Sequence, residues 1–138
     1  MKTAFLYGSR DLRLEEIPAP SPGPGEVLVR IGAAGICGSD LHRYRGDDPW
    51  SPTQVCQPQL GKPRRLGHEL AGVVVELGRG VHGLEAGQRV GVEPMQLAGC
   101  GACPPCRRGD YHLCGGRDHD PQRRRSAGFS ELDVADVG

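Results

Sequence analysis

Hydrophobic residues fall along this chain in short runs broken by glycine and proline, never in a long helical stripe. "TAFLY" (3–7) and "EVLVRI" (26–31) are β-rich, and the second keeps a period of two through Val27, Val29 and Ile31. Between them "PAPSPGPG" (18–25) is neither helix nor central strand, because proline lacks an N–H donor and glycine is too free. "ELAGVVVELG" (69–78) and "QRVGVEP" (88–94) predict two further strands joined by a glycine-rich turn, and "GFSELDVADV" (128–137) predicts a last one. The stretch from Trp50 to Arg65 is polar and proline-broken and reads as a loop, as does the charged "GRDHDPQRRRS" (116–126). There is no internal repeat. The pattern predicts a mostly-β domain of barrel type, with one excursion at 98–116 that carries cysteines.

Composition narrows the class. The 138 residues suffice for one domain with a real core and are too few for two ordinary ones. Twenty-two glycines and 12 prolines agree with short strands and tight turns. Lys plus Arg and Asp plus Glu each number 17, and this balance argues against nucleic acid or an anionic membrane surface as partner. No apolar run approaches the roughly 20 residues of a membrane span. The start, "MKTAFLYGSRDLRLEE", turns charged too soon for a signal peptide. A reducing cytoplasm is therefore expected, where clustered cysteines bind metal more often than they form disulfides.

Four of the six cysteines stand in one such cluster, Cys100-x2-Cys103-x2-Cys106-x7-Cys114. Zinc takes four soft donors at tetrahedral corners, with thiolates about 2.3 Å away. Two cysteines separated by two residues can turn both sulfurs to one ion, and Pro104, Pro105 and Gly109 suit the turns required. Four thiolates close the coordination shell, so the ion is expected to be structural. A disulfide pair and an iron–sulfur cluster are the alternatives. His112 is read as a surface residue.

A second constellation is spread along the chain: "AGICGSDLH" (34–42) and "LGHEL" (66–70). Each is weak alone, but with the four-cysteine lobe and in this order they are not. Cys37 and His68 offer mixed sulfur and nitrogen donors, and Glu69 adds a carboxylate; so few protein ligands leave room for water or substrate. With "PGPGEVLVRIGAAGICGSDLH", "LGHELAGVVVELG", "GLEAGQRVGVEP" and "GFSEL", the chain resembles the N-terminal part of a zinc-dependent medium-chain dehydrogenase/reductase of the alcohol dehydrogenase superfamily. "GICGSDLH" and "GHE" resemble the polyol, butanediol and threonine dehydrogenase branch in particular.

That resemblance implies a GroES-like, partly open β-barrel over 1–138. It implies a catalytic zinc on Cys37, His68 and Glu69, with Glu69 a direct or alternating ligand. The structural zinc would be held by Cys100, Cys103, Cys106 and Cys114. It gives Ser39 and His42 the role of passing the alcohol's proton to solvent, and Asp40 that of a helix-start or supporting residue. A small alcohol or polyol would be the substrate and NAD or NADP the cofactor, in a full-length homo-oligomer (dimer or tetramer). Residues 50–65, with Cys56, match no family pattern, so the substrate stays open. A zinc-binding interaction module without chemistry is the alternative function.

"GRGVHG" (78–83) fits G-x-G-x-x-G, yet strand-like alternation rather than a helix follows it, and no acidic residue stands about 20 positions on. It reads as a turn between strands, with His82 at the surface. The nucleotide-binding domain implied by the resemblance is expected beyond Gly138.

Overall fold

The computed structural model describes residues 1–47, 63–92, 102–110, 113–114 and 127–137. They form seven strands and two short helices: β1 (Lys2–Gly8), β2 (Asp11–Glu16), β3 (Glu26–Ala34), α1 (Gly38–Arg45), β4 (Arg64–Arg65), β5 (Leu70–Leu77), β6 (Arg89–Val92), α2 (Pro104–Arg107) and β7 (Leu132–Asp136). The strands make two antiparallel sheets, ordered β2-β1-β4 and β6-β5-β3-β7. The expected mostly-β architecture is present; the barrel is not closed among the described residues. The sheets are stitched where the chain enters β7: Thr3 bridges Ser130, and Ala4 N–H donates to Phe129 O at 2.8 Å. No described helix is long and apolar enough to cross a membrane.

The core lies on the four-stranded sheet. Val27, Val29, Leu70, Val74 and Ala135 are buried together, with Ile31, Leu77, Val90 and Val92 packed against them. The alternation through Val27 and Val29 therefore does mark an inward face. Leu28, on the opposite face of β3, is buried as well.

Two strands depart from the pattern-based expectation. The charged run "DLRLEE" is the edge strand β2. Its outer face is ordered by Arg13, which donates to Asp11 at 2.8 and 2.7 Å and lies 4.4 Å over the Tyr7 ring. The Arg13 guanidinium holds the Asp11 carboxyl below its usual range. Arg64 and Arg65, expected in the loop, pair with Leu6 and Phe5 of β1, and the Arg65 guanidinium reaches the buried Asp133 carboxylate at 3.2 Å. Residues 50–62 of the segment read as a loop, Cys56 included, lie outside the described residues, as does the charged run at 116–126.

"GRGVHG" is a turn between β5 and β6, as expected, and His82 is exposed. Gly78 N–H donates to Glu26 O at 2.8 Å, and a β-carbon on Gly78 would stand 1.8 Å from Gly23 O. That glycine serves the close approach of two backbones rather than a phosphate.

Candidate metal centre

Two segments far apart in sequence meet at one end of the β3–β5 pair. β3 ends at Ala34 opposite Leu70, and just beyond this pair Gly35 N–H donates to Glu69 O at 2.8 Å. The register thus sets the turn that holds Cys37 beside the loop that holds His68 and Glu69. One donor atom each from Cys37, His68 and Glu69 lie within 4.8 Å of one another. Cys37 and His68 are half-buried, and Glu69 is exposed.

Asp40 ties the segments together. It is the third residue of α1, and its carboxylate accepts the Cys37 N–H at 3.1 Å, satisfying a donor the helix start would otherwise leave unpaired. Its other oxygen accepts the Gly67 N–H at 3.3 Å and stands 3.6 Å from His68 Nδ1 and 3.8 Å from an Arg43 nitrogen. Only 3% of the side chain is exposed. A buried carboxylate survives because it is so fully surrounded by donors and positive charge.

Ser39 and His42 are both on α1, three residues apart and hence on one helix face. Ser39 is half-buried; His42 is exposed, with Nδ1 3.0 Å from Asp47 Oδ1. Reading the sequence missed Asp47 as the histidine's partner: nothing in the spacing announces a contact made as the chain leaves the helix.

The second cluster is local. Cys103 is the N-cap of α2, whose first two residues are Pro104 and Pro105, and Cys106 lies inside the turn. Proline suits these first positions because their N–H groups have no helical acceptor. The Cys103 Sγ stands 3.3 Å from that of Cys106 and 3.8 Å from that of Cys114. A tetrahedron with arms of about 2.3 Å has edges of about 3.8 Å, while a disulfide measures about 2.05 Å. Three sulfurs so placed fit one soft ion. Cys100 and His112 lie outside the described residues.

Both donor sets suit zinc. One is all sulfur; the other mixes sulfur, nitrogen and oxygen. The chain matches the family described as alcohol dehydrogenase GroES-like domain over residues 23–136. It is 47% identical over 114 residues to L-threonine 3-dehydrogenase of Pyrococcus furiosus, covering 83% of this chain and 30% of that protein. Against sorbitol dehydrogenase of Bacillus subtilis the identity is 39% over 114 residues, with the same coverage of 83% and 30%. A solved alcohol dehydrogenase of Escherichia coli CFT073, complexed with NADH, superposes with a TM-score of 0.71 at 34% identity, over 99% of this chain and 36% of that one. The chain thus spans about 30% of the length of the curated relatives it matches.

Proposed function

Since the chain belongs to the alcohol dehydrogenase GroES-like domain family, we propose that it is the zinc-carrying catalytic domain of an NAD- or NADP-dependent alcohol or polyol dehydrogenase. One observation carries this reading: a cysteine sulfur, an imidazole and a carboxylate from two separate segments converge within 4.8 Å. On it, Cys37, His68 and Glu69 hold the catalytic ion, and Cys103, Cys106 and Cys114, with Cys100, hold a structural one. Threonine and sorbitol, named in the relatives, both carry a secondary hydroxyl, and such an alcohol is the substrate proposed here.

When bound, zinc supplies Lewis acidity toward the alcohol oxygen and a nicotinamide supplies the hydride acceptor. The chain's own residues handle the proton. Ser39 Oγ takes the substrate's hydroxyl proton and hands its own to the His42 imidazole one helical turn on. Asp47 occupies Nδ1 of that ring, which leaves Nε2 for proton traffic, and the exposed ring releases the proton to water. Asp40 holds Cys37 and the His68 loop in one frame throughout. The reading also takes the full-length enzyme to be a cytoplasmic dimer or tetramer, where a reducing milieu preserves the thiolates.

Metal content of the zinc-equilibrated chain tests the assignment. About two zinc ions per chain are expected, one for each donor set. Cys37→Ser and His68→Ala should each lose one, and Cys103→Ser the other. Full zinc retention by Cys37→Ser would overturn the catalytic-site assignment.

A further inference from the structure

Gly35 stands next to the metal centre without contributing a donor, and its backbone does not explain why it is glycine. It is absent from the glycines with positive φ, so an L side chain is conformationally allowed there. Space is the reason. A β-carbon built on Gly35 would meet Glu69 Oε2 at 2.5 Å, Glu69 Cβ at 3.1 Å and Glu69 Cδ at 3.5 Å, and nothing else among its three nearest neighbours. All three nearest atoms belong to one side chain, that of Glu69, and the closest is an oxygen at its flexible end. The pairing of Gly35 N–H with Glu69 O at 2.8 Å keeps the two residues facing each other, so the carboxylate cannot escape by a shift of backbone.

We propose that Gly35 is the positioning residue for Glu69: its missing side chain leaves the slot in which the Glu69 carboxylate stands beside Cys37 and His68. The proposal rests on the reading of Cys37, His68 and Glu69 as a metal site, and adds that the residue opposite Glu69 decides whether its carboxylate reaches the ion. The contact falls mainly on the flexible end of a glutamate. A methyl at position 35 should therefore rotate the carboxylate away while sparing the sheet. Backbone-restricted Gly67 differs: its β-carbon would strike backbone atoms of Phe129 and Gly128.

Cobalt(II) titration of the chain tests this, with thiolate-to-cobalt absorption as readout. The part of the signal that Cys37→Ser removes reports this site apart from the lobe. Glu69→Gln should weaken that binding by about 10-fold or more, within the range for a displaced ligand or supporting group. Gly35→Ala should weaken it as much, and the double variant should be no weaker than Glu69→Gln alone. Thermal unfolding of Gly35→Ala should match wild type. Wild-type affinity in Gly35→Ala or in Glu69→Gln, multiplied losses in the double variant, or a large drop in melting temperature would each overturn the proposal. If Cys37→Ser leaves the absorption untouched, the metal reading fails and takes the proposal with it; if only Gly35→Ala is silent, the metal reading stands and the proposal alone falls.

Discussion

The two donor clusters are built by opposite means. Cys103 and Cys106 share a single helical turn and Cys114 follows eight residues on, and the Cys103 sulfur stands 3.3 and 3.8 Å from the other two. Cys37 and His68 meet because β3 and β5 pair as far as Ala34 and Leu70, and because buried Asp40 accepts an N–H from each side. A local cluster has little surrounding structure to hold it once its ion leaves. A site assembled by a sheet keeps its frame without the ion, as catalysis with an exchangeable ligand position demands. On the proposed reading the lobe would take its order from metal, whereas the Cys37 site would offer metal a frame already built.

The largest effect should therefore come from breaking the lobe. Structural zinc contributes about 10 kcal/mol or more of apparent binding free energy in small sites, and this is folding energy where no frame exists beforehand. Cys103→Ser should abolish metal-dependent protection of residues 102–114 in amide hydrogen exchange and lower the melting temperature. Cys37→Ser should leave both near wild type while losing its own ion. Matching losses of stability in the two variants would dissolve the distinction and make the Cys37 site structural too.

Next in size is Asp40→Ala, which tests whether the frame is what the sheet-built site depends on. Removing a carboxylate that is 3% exposed takes the acceptor from the Cys37 and Gly67 N–H groups and one counter-charge from beside Arg43. A buried pair broken on one side costs about 3–5 kcal/mol. Urea unfolding of the chain should show a loss of that order, and Asp40→Asn, which keeps one acceptor oxygen, should recover part of it. A loss below about 1 kcal/mol, the level of a surface ion pair, would mean that Asp40 is not the link.

What could be read from sequence follows the same division. The lobe's spacing is local, so the cysteine cluster was visible as a motif, and the alternation in β3 was visible because one face of a strand repeats every two residues. β2 was invisible: "DLRLEE" lacks β-rich composition, and its turn uses Arg10 at φ 61° where a hairpin ordinarily shows Gly, Asn or Asp. α1 escaped because its one buried side chain is the charged Asp40, so no apolar stripe marks it. Cys37, His68 and Glu69 were legible as a mixed donor set, but their role as one catalytic site came only through family resemblance. Nothing in the residues themselves states that Ala34 will lie opposite Leu70. Gly35 carried no signal at all, since its importance exists only once Glu69 is folded against it.

The smallest of these effects should appear at Gly67, which ties the His68 loop to Asp40 on one hand and to the 128–129 segment on the other. Its N–H reaches Asp40, its carbonyl accepts the Gly128 N–H at 2.9 Å, and its φ is +84°. An alanine here meets two penalties: the left-handed backbone costs an L residue about 1–2 kcal/mol, and its β-carbon would stand 2.7 Å from Phe129 N. Because that neighbour is backbone, the 128–129 segment must shift, adding about 1 kcal/mol in the manner of an overpacked core. Gly67→Ala should thus lose about 2–3 kcal/mol in urea unfolding. The comparison sharpens in the metal readout. The shift moves His68, so affinity at the Cys37 site should fall, while the lobe, gathered around its own helical turn, should keep its ion. Loss of lobe metal in Gly67→Ala would show that the two clusters are coupled and that neither is built independently of the other.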